Sequence, residues 1–222
     1  TKDEIAEGFV PFANSDTEDE EIVIPTGDEK NQSLETMNVP KTSNGGAGAF
    51  VAILDSGYYM EHTAFANYDN SETFQKASER FNYSDLLAVK DKLVGKPVKT
   101  LDEKEATAFG YQNPKLNDGS TFYNLKIPYY YDYGGSNLNE GNDFDVLSTV
   151  SEHGTHVASI TGANGTYKGV APNAQLALMK VFFEQIPTND NMAGGVYATE
   201  EDIVEALNDC AILGVDSLNM SL

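Results

Sequence analysis

The sequence predicts an α/β fold built on a mostly parallel sheet, and three stretches carry that prediction. "AFVAILDSG", residues 49–57, is a short unbroken apolar run ending in Asp-Ser-Gly. That is the pattern of a strand covered on both faces, with a turn at its carboxyl end. "QLALMKVFF" at 175–183 is a second such run, entered from a Gly-Val-Ala-Pro turn, and a strand is expected around Leu176 to Phe182. Between and after them the periodicity changes to that of helices, as in "YATEEDIVEALNDCAILG" at 197–214. Strands alternating with helices are the signature of a parallel sheet with helical crossovers.

Taken in order, residues 1–45 read as an irregular acidic segment, with "DTEDEEI" as a solvated charge run and "KTSNGGAGAF" as a Gly-rich approach to the first strand. Asp55 then stands at a strand's carboxyl end, where ligands and catalytic groups gather in α/β sheets. From 66 to about 126 the character shifts. Lys76, Arg80, Lys90, Lys92, Lys96, Lys99, Lys104, Lys115 and Lys126 lie here, out of 14 basic residues in the chain, and the stretch reads as a surface insertion. "SETFQKASERF" and "YSDLLAVKDKLVG" have helical spacing, the second with Ser84 as the expected N-cap and Gly95 as the stop. "YNLKIPYYYDY" reads as a strand, and the stretch after it as a loop carrying Asp143 and Asp145.

The last helix has the clearest ends. Thr199 and Asp202 form a capping-box start, Ile203, Ala206, Leu207 and Cys210 give the apolar stripe, and Gly214 stops it. "VDSLNMSL" is a further short strand.

Bulk properties narrow the function. A net charge of −21 argues against a nucleic-acid partner, which needs a basic footprint. No apolar run is long enough to span a membrane, and "TKDEIAEGFV" lacks the apolar core of a signal peptide. With one cysteine, Cys210, there is no disulfide framework and no cysteine zinc cluster; Cys210 is expected as a small buried residue of the last helix.

"SEHGTHVASITGA" at 151–163 is the stretch richest in chemistry. Three readings of His153 compete. It packs without a special partner; or it binds a metal with His156 and either Glu152 or His62; or it is a general base oriented by a carboxylate, for which Asp55 is the right type. The i, i+3 spacing of the two histidines is not the i, i+4 spacing of the helical zinc motif.

"VAILDSG", "EHGTHVASITGA", "GVAPNAQLALMKV" and "ILGVDSLNMSL", in that order, resemble the subtilisin-like serine peptidases block by block. The resemblance implies their fold, a mostly parallel sheet with helices on both faces, here incomplete. It implies that Asp55 orients the histidine and stabilises the imidazolium, and that His153, not His156, is the general base and acid. Gly154 and Thr155 would let the helix start tightly under the imidazole, with His156 structural. Ser221 and Leu222 match the stretch that binds substrate backbone and forms one wall of the P1 pocket. Gly194 and Gly195 match the facing strand, to which an extended peptide would add.

The chain departs from the family pattern in one respect. It has no Gly-Thr-Ser-x-Ala block for the nucleophile, nor the oxyanion asparagine, so the expectation is the amino-terminal part of a catalytic domain, inactive alone, whose remainder is its necessary partner. The long interval from Asp55 to His153, "KIPYYYDY", and "SLETMNVPKTSNGGAGAFVAILDSG" resemble the large cell-envelope peptidases of Gram-positive bacteria, the lactocepin and C5a-peptidase-like group, although a tryptophan common there is absent. This implies a secreted or envelope-attached bacterial endopeptidase acting on proteins or peptides. No cofactor is needed for its chemistry. Calcium is common in the family but is not assigned: "GANGTYKGVAP" is short for a calcium loop, and Asp143 with Asp145 reads as a solvated pair. The rival from another class is a catalytically inactive peptide- or protein-binding module on a degenerate peptidase domain.

Overall fold

A computed structural model describes residues 44–65, 80–106, 119–134, 153–165, 167–185 and 195–221. β1 (Phe50–Asp55) is central in a four-stranded parallel sheet of order β2-β3-β1-β6, with β2 at Tyr129–Asp132, β3 at Gln175–Lys180 and β6 at Ser217–Met220. Central placement explains the unbroken apolar run of β1. Both of its edges are hydrogen-bonded, and both of its faces are covered.

Alternation along the strands divides the interior in two. Ile53, Leu176, Leu178 and Tyr130 point to one face, where α3 (His153–Gly162) packs through Ala158. Leu54, Ala177, Met179 and Tyr129 point to the other, shared with α1 (Tyr83–Val89), α2 (Glu103–Ala106) and α4 (Glu200–Leu213) through Leu86, Ala106, Ala206, Cys210 and Leu213. Helices therefore cover both faces, as the resemblance implied. β4 (Phe182–Gln185) and β5 (Gly195–Ala198) form a separate antiparallel pair.

α4 forms as its sequence predicts. Thr199 and Asp202 cap each other's backbone N–H groups, and Gly214 ends the helix in the left-handed conformation at φ 68°. Cys210 is buried within it. α1 differs from expectation. Its N-cap is Asn82 rather than Ser84, because Asn82 has an acidic residue three positions on: Asp85 N–H donates to Asn82 Oδ1 at 3.1 Å and Asn82 N–H to Asp85 Oδ2 at 2.9 Å. The helix also stops before Gly95, at Val89, and continues as one 3-10 turn, Lys90–Lys92.

β2 is shorter than "YNLKIPYYYDY". Asn124 Oδ1 accepts the N–H groups of Lys126 and Ile127, closing a turn, and Pro128 has no N–H for a ladder. β3 ends at Lys180, and Phe182 begins the antiparallel pair.

The described parts of the stretch 66–126 reach into the interior: Phe81, Tyr83, Leu93, Phe122 and Leu125 are buried in the same cluster as β1. Lys126 is itself fully buried. Residues 71–79 of "SETFQKASERF", "DTEDEEI", Asp143 and Asp145 lie outside the described residues.

Candidate active site

β1 delivers Asp55 at its carboxyl end with 0% exposure. A buried carboxylate is tolerated only with hydrogen-bond donors around it. The turn after the strand supplies two: Ser56 N–H donates to Oδ1 at 2.7 Å, and the Ser56 hydroxyl donates to it at 2.9 Å. Beneath, the Tyr58 hydroxyl lies against the carbonyls of Ile53 on β1 and Met179 on β3. Burial, with Asp55 nearby, pushes that phenol well above its ordinary range, so it remains a neutral donor linking the two strands.

The third group is His153, the first residue of α3. Its Nδ1 lies 2.9 Å from Asp55 Oδ1 and 3.1 Å from Oδ2. A carboxylate only accepts, so Nδ1 carries the hydrogen. Gly154 makes this approach possible: a Cβ there would collide with the Gly57 carbonyl and press on the Asp55 carboxylate at 3.2 Å. Thr155 ties the helix start to the loop after β1, its Oγ1 accepting the Tyr59 N–H at 2.8 Å. The His153 side chain is 55% exposed while its aspartate is at 0%. The arrangement is an imidazole fixed through Nδ1 by a buried carboxylate, with more than half of its own side chain exposed.

The other sequence-derived candidates are placed as follows. Ser221 directly follows Met220, which pairs with Leu54, so it stands level with Asp55 one strand away; its hydroxyl donates to Asn219 Oδ1 at 2.9 Å. Gly195 opens β5, paired with Gln185. Gly194, Leu222 and Glu152 lie outside the described residues. His156 is exposed on α3, and His62 Nδ1 accepts the Ala64 N–H at 3.1 Å within its own turn. Among the described residues no group of three His, Cys, Asp or Glu is placed to hold a metal ion. None of their helices is long and apolar enough to cross a membrane.

Sequence reasoning overlooked one pair at this end of the sheet. Lys180 Nζ lies 2.6 Å from Asp132 Oδ2, both side chains being buried. The signal was available: a lysine inside "LALMKVFF" and an aspartate inside "YYYDY" each need a partner if the runs are buried.

In a parallel sheet with helices on both faces, an Asp–His couple at the carboxyl end gives an imidazole oriented by a carboxylate, the geometry a general base needs. Residues 46–221 match the model of the subtilase family of S8 peptidases, and the chain belongs to that family. It is 38% identical over 138 residues to a PII-type proteinase of Lacticaseibacillus paracasei, covering 57% of this chain and 7% of that protein. It is 26% identical over 187 residues to a C5a peptidase of Streptococcus pyogenes, covering 79% of this chain and 12% of that protein. The solved CspB protease of Clostridium perfringens is matched over 86% of this chain and 32% of that one, at 20% identity and a TM-score of 0.37, too distant to carry argument. The match thus spans less than a tenth of the proteinase's length and about an eighth of the C5a peptidase's.

Proposed function

We propose that this chain supplies the aspartate and histidine of a Ser-His-Asp triad in a secreted or cell-envelope-attached bacterial serine endopeptidase. The observation that carries the reading is the contact of His153 Nδ1 with the buried Asp55 carboxylate at 2.9 Å. In this reading His153 Nε2 takes the proton from a serine hydroxyl as that oxygen attacks the peptide carbonyl carbon. Asp55 holds the tautomer and stabilises the imidazolium. The proton passes to the leaving amine, an acyl-enzyme remains, and water repeats the sequence to release the acid.

The nucleophile and the oxyanion asparagine belong to residues outside this sequence, which contains no Gly-Thr-Ser-x-Ala block. The outer edge of the sheet supports this: β6 is exposed along its whole length, with Leu218 at 41% and Met220 at 44%, an apolar edge suited to further chain of the same domain. Ser221 with Leu222, and Gly194 with Gly195, line the two sides of an extended peptide in this reading. No cofactor takes part in the chemistry. A relative named as a C5a peptidase supports a protein substrate.

The test is a fluorophosphonate probe on the full-length protein, followed by hydrolysis of casein. Labelling of one serine, with His153→Ala reducing turnover by roughly 10⁴- to 10⁶-fold, is the expected outcome. A full-length protein that binds peptides but neither labels nor cleaves is instead a binding module. Chelator-sensitive turnover with bound zinc would favour metal chemistry.

A further inference from the structure

We propose that Asp132 is a positioning residue: it holds the Lys180 ammonium away from Asp55 and so keeps the Asp55 charge for His153. The proposal rests on the triad reading of Asp55 and His153.

The geometry begins with register. Asp55 of β1 is the cross-strand partner of Lys180 of β3, and Lys180 is the partner of Asp132 of β2. Two residues before each of these lie Ile53, Leu178 and Tyr130, all in the cluster under α3. Side chains alternate with period two, so Asp55, Lys180 and Asp132 emerge on that same face, level with one another on strands about 4.8 Å apart. A lysine therefore stands between two carboxylates on the floor of the site.

A lysine in that place has a choice, and it is resolved toward Asp132. The Lys180 ammonium is 2.6 Å from Asp132 Oδ2, with the Asp132 side chain at 0% exposure and that of Lys180 at 9%. Asp55 takes its hydrogen bonds from Ser56 and His153 instead. The row carries one negative, one positive and one negative charge, leaving a net negative charge beside the imidazole. That field favours the imidazolium formed as the base takes its proton.

Neutralising Asp132 changes both features. The row becomes electrically neutral, and the ammonium loses its ion pair with Asp132 beside a second carboxylate. Lys180 then turns toward Asp55 and competes with His153 Nδ1. The imidazolium is less favoured, so the base protonates at lower pH and its orientation loosens. Among the described residues, Tyr58, Tyr59, Glu61 and His62 in the loop after β1, Tyr129, Tyr130 and Tyr131 on β2 and His156 on α3 are the other titratable groups on these elements. They are common to every variant below.

The experiment compares full-length wild type with Asp132→Asn and with the double variant Asp132→Leu/Lys180→Met. In Asp132→Asn, kcat is expected to fall about 10- to 100-fold. The acid limb of kcat/KM is expected to move about one pH unit lower. The double variant restores the row to the single charge of Asp55 and removes the competitor, so its limb and kcat are expected to lie within about threefold of wild type. It also removes both buried charges together, and so keeps the test alive where the single variant does not fold. A double variant with normal melting but the full catalytic loss, or an Asp132→Asn variant with an unmoved limb, overturns the proposal. A readout independent of peptidase activity is the pH dependence of His153 carbethoxylation by diethyl pyrocarbonate, followed by peptide mass spectrometry. Only the neutral imidazole reacts, so its midpoint is expected to shift as the acid limb does. If wild type cleaves nothing, the triad reading fails while this measurement still decides whether Asp132 governs His153. An unshifted midpoint in Asp132→Asn overturns the proposal there as well.

Discussion

Asp55 and Asp209 are both wholly buried aspartates, on opposite faces of the same sheet, yet they do different things. Asp209 is a buried residue of α4 and accepts the N–H groups of Val94 at 2.9 Å and Gly95 at 2.8 Å, together with the hydroxyls of Tyr133 at 2.8 Å and Tyr129 at 3.2 Å. Burial pushes both phenols well above their ordinary range, so they stay protonated donors. Both tyrosines are themselves buried, and the cluster fastens the loop after α1 to α4. Asp55 has fewer donors, and one of them, His153, has a side chain 55% exposed. Burial of a carboxylate therefore does not mark chemistry. The distinguishing feature is a partner that reaches solvent and can pass a proton on.

The sharpest way to break this comparison is to disable each aspartate in the full-length protein. Asp55→Asn keeps an oxygen for Ser56 but no longer fixes the histidine tautomer. Turnover is expected to fall about 10⁴-fold while unfolding free energy changes by less than about 1 kcal/mol. For Asp209→Ala the pattern reverses. Three or more donors are left unsatisfied in the interior, and the loss of stability is expected to be about 3 kcal/mol or more, with kcat per folded molecule near normal. Denaturant titration alongside steady-state kinetics reads both. A large catalytic loss in Asp209→Ala under conditions where it is folded would erase the distinction.

One of these aspartates is legible in the sequence and the other is hidden there. Asp55 ends an apolar run at a turn, and His153 sits in a block that resembles the subtilisin-like peptidases; residue types alone left three readings of His153 open, and the resemblance singled out the pair. Asp209 looks like one more polar position of an amphipathic helix. Its partners lie 76 to 115 residues away, beyond anything periodicity can connect. For Asp132 and Lys180, 48 residues apart, the need for a partner is legible in the apolar runs, but which residue supplies it is not. The same blindness made Lys126 seem one surface cation among nine, although its ammonium is buried against the carbonyls of Pro172 and Ala174. Local capping chemistry was legible at α4, where Thr199, Asp202 and Gly214 agree. It misled at α1, where two polar residues competed and only Asn82 had a reciprocal partner.

Lys126 extends the comparison to a buried cation. Burial lowers its ammonium from 10.5 to about 7, and Lys168 nearby adds to the depression. The folded value lies below the unfolded one, so between about pH 7 and 10.5 the unfolded chain binds more protons. Stability from this group therefore rises with pH across that window. Below pH 7 both states are protonated, and the cost of the buried charge is carried in full. Between pH 7 and 9, wild type is expected to gain on the order of 2 kcal/mol relative to Lys126→Met. Urea titrations at several pH values check it, and parallel stability curves for the two proteins would refute it.

The smallest effect is expected where an aspartate is neither enclosed nor paired with a histidine. Asp216 accepts the Phe50 N–H at 2.8 Å and faces Arg80 Nε at 3.2 Å, with side chains 47% and 32% exposed. Burial would raise its carboxyl, but the Phe50 N–H and the Arg80 guanidinium outweigh that and hold it low. Solvent and salt screen such a pair, so Arg80→Ala is expected to cost less than about 1 kcal/mol at neutral pH, and less still in high salt. The sign in acid follows from the lowered carboxyl. Its contribution is present above the ordinary aspartate range near pH 4 and disappears as pH falls through the lower folded value. The wild-type and Arg80→Ala melting curves should therefore converge in acid, once the pH is below the lowered Asp216 value and its carboxyl is protonated in both. A cost that persists undiminished in acid and in salt would mean that Arg80 acts through packing on the Gly214 carbonyl, not through charge.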